Sequence, residues 1–524
     1  MLRLEKRRGA GYSRAMTSAT ISPPSAWLGW RTALLFAVGL ALLRVALLTL
    51  TPLNLHGDEA QYWSWSRTLD WGYFSKPPLI AWVIRATTSV FGNAEWAVRL
   101  AAPFAHAATA LLLYALARRL YGPTAGAWAL LGWALMPGVW LSSAVISTDA
   151  LLLTCWSGAL LCAWRLIETR SFRWAIALGV ACGLGLLAKY AMAYFCLGAG
   201  AAALLSAPAR AAFLSWRGAA ALAAAAAILA PNLIWNATHD FATIAHTAAN
   251  ADLKTGPSFN LEELFDFLVG QLGVLGPLQF AAFAFLLTAA ARAPQKLGDA
   301  DRFLLSFALP ALIIISAQAL ISRAHANWAA AAYPAACVWI AGRFAQGRGR
   351  ALLIASTALH GAAGLVFIAA ALAPGFADAI GLANGFKRAR GWPETAQEIA
   401  HRAQTAPYSA IMLDSRLYYY GLRYYWRDAP PPTPLRVWRV MTAPSNQAET
   451  EASLRAGEDT RVLAVVTHED QTWRVRADFR SFTPLARVDI PLGGGKFRRL
   501  DFYDARGYAP NPKRGAALRQ DDVE

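Results

Sequence analysis

Between residues 27 and 373 the chain runs through about eleven apolar stretches, most of them near the ~20 residues a helix needs to cross a bilayer core. They fall near 27–50, 97–117, 124–142, 150–167, 174–188, 190–207, 218–235, 264–291, 303–321, 328–342 and 351–373. In lipid every backbone polar group must be satisfied internally, so this pattern dictates an all-α polytopic bundle of 11 to 13 spans. Composition agrees: 56% of residues are hydrophobic and 15% charged, against roughly 25% charged in soluble domains. A soluble enzyme, a disordered chain and a disulfide scaffold are thereby set aside. The net charge of +17 does not indicate nucleic acid, because the basic residues flank the apolar stretches. The five cysteines lie within those stretches and read as small packing residues.

Basic residues in short loops orient the bundle. Residues 1–26 carry Arg3, Lys6, Arg7, Arg8 and Arg14, and read as a cytoplasmic N-terminus before a retained anchor. The first apolar region is too long for a cleaved signal peptide. Arg118 and Arg119, Arg165, Arg170 and Arg173, Arg210 and Arg217, Arg292, Lys296 and Arg302, and Arg343, Arg348 and Arg350 recur in alternate loops. Those loops are expected inside. Loops 51–96, 143–149, 236–263 and 322–327 are expected outside, in the periplasm of a bacterium. The membrane domain then spans 27–375, and an odd span count puts residues 376–524 outside as well. Arg44, near the outer end of the first span, is expected to snorkel to the interface.

The tail reads as a small α/β domain. A helical pattern runs from Gly391 to His401, short strands cover Ala410–Leu413 and Val462–Val466, and a tyrosine-crowded helix covers Leu417–Trp426. The tyrosines read first as packing and second as a sugar platform. The last dozen residues read as disordered.

Chemistry concentrates in the outer loops. His56-Gly57-Asp58-Glu59 places two adjacent carboxylates just past a span. One of them serves equally well as a helix cap or as a catalytic group. Tyr73-Phe74-Ser75-Lys76-Pro77-Pro78 holds an ammonium beside two prolines that stiffen the backbone. It suits a lipid phosphate, or anchors an interfacial segment. Asp149, in Ser147-Thr148-Asp149-Ala150, is a third acid at the outer start of a span, again a cap or a functional group.

These elements together resemble the GT-C membrane glycosyltransferases related to protein O-mannosyltransferases, a superfamily that includes the lipid A aminoarabinose transferases. Gly183-Leu184-Gly185-Leu186-Leu187-Ala188-Lys189-Tyr190, Pro231-Asn232-Leu233-Ile234-Trp235-Asn236 and Ala326-Asn327-Trp328 are similar to the same group. The likeness covers roughly 50–375. It implies a multi-pass inner-membrane enzyme that transfers a sugar, with inversion, from a polyprenyl-phosphate donor to a hydroxyl of an envelope lipid, glycan or protein. By the resemblance Asp58, partnered by Glu59, is the general base and Asp149 supports the catalytic centre. Lys76, with Tyr73 beside it, contacts the donor phosphate, and Lys189 and Arg323 supply further positive charge. No cofactor is required. A divalent metal stays open, with His246 as its candidate ligand. Two departures set this chain apart from the aminoarabinose transferases: Ser75 stands where they carry an acid, and Gln61 where they carry an arginine. The rival reading is a transporter or flippase for a lipid-linked glycan, which the scarcity of ionisable residues within the spans disfavours.

Overall fold

The structure is a computed structural model describing residues 29–249, 259–457, 460–512 and 514. The basic N-terminus and, Arg514 apart, the last dozen residues lie outside the described residues. Among the described residues six helices are long and apolar enough to cross a membrane: Trp30–Leu50, Glu95–Tyr121, Thr148–Thr169, Trp216–Thr238, Asp299–Ile321 and Gly347–Leu372. Two more stretches reach that length and apolarity only as bent pairs. Pro123–Ala134 and Pro137–Ala144 meet at 55°, and Leu261–Val274 and Pro277–Arg292 at 115°. At each break a proline opens the second helix, where its missing N–H costs nothing. At the sharper one Gly276 adopts φ +90°, which L side chains avoid. The expected segments at 174–188, 190–207 and 328–342 are helical but shorter. An unforeseen apolar helix, Leu79–Phe91, lies within the first outer loop.

Contacts between helix ends sort the loops. Arg119 and Arg165 both pair with Glu168, Arg170 donates to the Pro208 carbonyl, and Asp301 accepts from Tyr121 and Trp339. The Arg-rich turns therefore share one end of the bundle, as the loop charges require. Helices Phe172–Ala188 and Trp216–Thr238 pack closely because a Cβ at Gly179 would lie 2.3 Å from the Ala221 oxygen, and one at Gly183 2.8 Å from Ile228 Cβ. The Gly183-Leu184-Gly185 element thus contributes packing.

Arg44 does not snorkel. Its side chain turns inward, Nη2 donates 2.6 Å to the carbonyl of Ala134, and the guanidinium lies 4.6 Å from the Trp140 ring. Ala134 ends the helix broken ahead of Pro137, so the arginine satisfies a carbonyl that the break releases.

The tail holds a five-stranded sheet, order β2-β1-β3-β5-β4. Strands β1 (Ala410–Leu413) and β3 (Val462–Val466) fall where the sequence places them, wholly buried. β2 (Leu435–Val437) runs parallel to β1. The long hairpin of β4 (Phe479–Gly493) and β5 (Lys496–Tyr508) was not expected. Its turn is Gly493-Gly494-Gly495, each at positive φ. Helix Arg416–Tyr425 settles the question of the tyrosines. Tyr424 Oη donates to Asn93 O (2.6 Å), Tyr425 Oη donates to Glu95 (2.5 Å), and the Tyr424 ring meets Trp63 edge-on. One continuous apolar core joins outer-loop residues such as Leu55, Trp63 and Ile80 to Ile399, Tyr420 and Leu463 of the tail. The tyrosines lock the tail onto the 51–96 loop.

Candidate active site

A cavity of about 1020 Å³ opens where loops 51–96, 143–149, 236–263 and 322–327, the helix ends and the tail meet. Its residues are assembled by local rules. Helix Gly57–Trp65 starts with a capping box: Asp58 N donates to His56 Nδ1 (3.2 Å), and His56 N donates to Glu59 Oε2 (2.8 Å). His56 and Glu59 therefore cap, and the Asp58 carboxylate is left to face the cavity, with its side chain 43% exposed. Glu59, expected beside Asp58 in catalysis, is engaged elsewhere. Arg99 grips it at 2.9 and 2.8 Å, and Ile146 N donates to it at 2.9 Å. Both side chains of this ion pair are almost fully buried. Arg99 also donates to the carbonyls of Leu53 and Asn54, tying the first outer loop to helix Glu95–Tyr121.

Asp149 sits in the first turn of helix Thr148–Thr169 and accepts from Lys189 Nζ (2.6 Å) and Asn327 Nδ2 (2.8 Å). Three separate segments thus meet at one carboxylate. Lys76 lines the same cavity, and among the described residues its ammonium makes no hydrogen bond or ion pair. Burial, then the Lys189 ammonium, lowers its proton affinity, while Asp149 and Asp58 work the other way. The Tyr73 carbonyl accepts from Thr243 Oγ1, and Tyr73 N donates to Lys76 O, so the lysine loop is held rigidly.

Two expected phosphate contacts, Tyr73 and Arg323, lie outside the cavity lining. The Tyr73 side chain is buried against Trp65, stacked at 4.7 Å, and its hydroxyl serves the backbone of Trp65, Thr68 and Asp70. It shapes the loop and does not line the cavity. Arg323 is exposed outside the cavity lining. His246 does line it, 6.0 Å from the Phe74 ring. Burial, then the charges of Lys76 and Arg416, pushes its pKa down to about 4, so the imidazole is neutral near pH 7. Among the described residues no three His, Cys, Asp or Glu side chains are grouped to hold a metal ion.

Sequence reasoning missed Arg416. It opens the tyrosine helix of the tail, and its Nη1 reaches Asp58 Oδ1 (3.3 Å) and the Gln61 side chain. The small residue Gly57 permits the approach, since a Cβ there would lie 3.0 Å from Leu417. Two carboxylates, a lone ammonium and a guanidinium therefore face one water-accessible chamber at the boundary of an apolar bundle.

Residues 75–235 match the family described as dolichyl-phosphate-mannose-protein mannosyltransferase. Over 408 residues the chain is 38% identical to the lipid A galacturonosyltransferase RgtD of Rhizobium johnstonii, covering 76% of this chain and 83% of that protein. The chain belongs to the GT-C membrane glycosyltransferases. The undecaprenyl phosphate-alpha-4-amino-4-deoxy-L-arabinose arabinosyl transferase of Pseudomonas aeruginosa is 34% identical over 181 residues, 30% of this chain and 32% of that one. The fold of the glycosyltransferase is similar to that of ArnT from Cupriavidus metallidurans: TM-score 0.62, 16% identity, 90% of this chain and 98% of that one. The same ArnT bound to undecaprenyl phosphate gives 0.58 at 17% identity, covering 92% of this chain and all of that one. The protein is thus a multi-pass membrane glycosyltransferase, and its cavity lies at one end of the span bundle.

Proposed function

We propose that this glycosyltransferase moves a hexuronic acid from a polyprenyl-phosphate carrier to a hydroxyl of a lipid A-type glycolipid at the periplasmic face of the inner membrane. The observation that carries the choice of sugar is the charge balance of the cavity. Among its described lining residues Arg44, Lys76, Arg99, Lys189, Arg388 and Arg416 oppose only Asp58, Glu59 and Asp149. Glu59 is taken by Arg99, and Asp149 by Lys189 and Asn327. If Asp58 serves as base, no carboxylate is left for an ammonium group, whereas Lys76 and Arg416 keep donors for two anions. Relatives act on sugars of opposite charge, a uronic acid and an amino sugar by their names, and this balance favours the acidic one.

The chemistry follows from the placement. Asp58 takes the proton of the acceptor hydroxyl as its oxygen attacks the anomeric carbon. The bond from that carbon to the phosphate oxygen breaks, and its electron pair leaves with the carrier phosphate. Lys76, with Lys189 behind it, stabilises the charge that develops there. Asp149 holds Lys189 and Asn327 in register. Inversion follows from a single displacement. The apolar walls from Leu47, Ile314, Phe367 and Ile368 accommodate lipid chains.

The test is transfer by the purified full-length protein from polyprenyl-phosphate hexuronic acid to a lipid A-type acceptor. Mass spectrometry should show one sugar residue gained by the acceptor and free polyprenyl phosphate released. Transfer from a soluble nucleotide sugar alone would refute the reading.

Lys76 makes a second expectation. Its lowered proton affinity means that the ammonium is lost earlier on the alkaline side than from an ordinary lysine. The KM for donor should therefore climb as pH rises. Lys76→Arg keeps its charge, so that climb should vanish, although KM should be several-fold higher throughout because the fork fits the site differently. A Lys76→Arg profile with the same alkaline climb would assign the titration to another group.

A further inference from the structure

Arg416 does more than touch Asp58. Both of its protein contacts use Nη1, and among the described residues the structure gives Nε and Nη2 no partner. Its side chain retains 38% exposure and lines the cavity. The Nε–Nη2 edge of a guanidinium is one that meets a carboxylate through two parallel hydrogen bonds. The arginine is also held firmly from behind. Leu417 packs on Gly57, the Tyr424 and Tyr425 hydroxyls are anchored to Asn93 and Glu95, and Trp63 braces Tyr424. A preorganised fork of this kind loses little freedom on binding.

Resting on the transfer reaction above, we infer that Arg416 is the sugar-recognition residue. Its Nε–Nη2 edge binds the carboxylate of the transferred sugar while Nη1 holds Asp58. The tail domain therefore supplies the specificity element of the membrane active site. Its docking sets which donor is accepted, because one guanidinium ties the sugar charge to the proposed base. The other cavity cations are less suited: Arg99 is spent on Glu59 and the Leu53 and Asn54 carbonyls, and among the described residues Arg388 makes no hydrogen bond or ion pair to Asp58, the proposed base. Lys189 is occupied by Asp149, Lys76 is a point charge without a fork, and Arg44 is directed to Ala134 and Trp140.

The experiment compares two donors on one carrier, a hexuronic acid and the same hexose with its carboxyl reduced to the alcohol, with full-length protein and one acceptor. Wild type should favour the acid by about 10- to 100-fold in kcat/KM, the scale of a charge-assisted bidentate contact. Arg416→Gln should reduce that preference to within about threefold, chiefly through a higher KM for the acidic donor. Arg416→Lys should fall between, since it restores charge without the fork. If Arg416→Gln keeps the preference, or raises only the KM for acceptor, the inference is overturned. Equal use of both donors by wild type overturns it without any variant, should Arg416→Gln fail to fold. Wild-type protein inactive with both donors would instead refute the transfer reading itself.

Discussion

Asp58→Asn should lower kcat for sugar transfer by about 10²-fold or more, the usual scale for loss of a general base. The substitution is nearly isosteric, and the helix it sits on does not depend on it. His56 and Glu59 form the capping box, and the Asp58 backbone N–H, which asparagine retains, makes the bond to His56. The Asp58 carboxylate is partly exposed, with the Arg416 contact at 3.3 Å, so stability should change by less than about 1 kcal/mol. The combination is the diagnostic: a thermal unfolding midpoint near wild type, donor KM within a few-fold, and kcat collapsed. A well-folded Asp58→Asn protein with kcat near wild type would remove Asp58 from the proton-transfer role and turn attention to Asp149.

Glu59→Ala should do the opposite, abolishing activity by destabilising the fold. Glu59 accepts from His56 N, Ile146 N, Arg99 Nε and Arg99 Nη2. Removing it leaves a guanidinium that is 2% exposed without a counter-ion. Breaking such a buried pair costs about 3–5 kcal/mol. Arg99 also holds the Leu53 and Asn54 carbonyls, so the loop carrying Asp58 should loosen first. Unfolding in detergent, followed by tryptophan fluorescence, should show a midpoint lower by many degrees. The double variant Glu59→Leu with Arg99→Met should regain much of that loss, because paired apolar replacements avoid the unpartnered charge. A Glu59→Ala protein as stable as wild type would show that the pair is dispensable and reopen a chemical role for Glu59.

Asp58 and Glu59 are adjacent acids that one sequence cannot tell apart. What separates them is Arg99, forty residues on, at the start of an apolar span. A lone arginine in that setting was the available signal, since a charge entering a membrane helix needs a partner. Tyr73 illustrates the reverse error. Beside Lys76 it looked like a phosphate contact, yet stacking on Trp65 turns its hydroxyl toward backbone. The β4–β5 hairpin escaped because most of β4 alternates exposed and half-buried residues and carries no continuous apolar run. Gly493-Gly494-Gly495 between two alternating segments was a legible hairpin signal. Arg416 had no signal of its own. It is 358 residues from Asp58, inside a helix whose tyrosines drew the eye to packing.

The sequence by itself determined the membrane bundle and the sharing of one end by its Arg-rich loops. It also placed two buried tail strands and the loop segments bearing Asp58, Lys76 and Asp149. Those are properties of local composition: apolar length, loop charge and short-range capping patterns act within one or two turns of chain. Only the tertiary structure decided which of the adjacent carboxylates faces the cavity and which ammonium, among the described residues, is left unpaired. It alone showed that the tail reaches back to deliver Arg416. Pairing between distant segments depends on where their ends meet in space, and burial then decides which charges must neutralise each other and which stay available to a substrate.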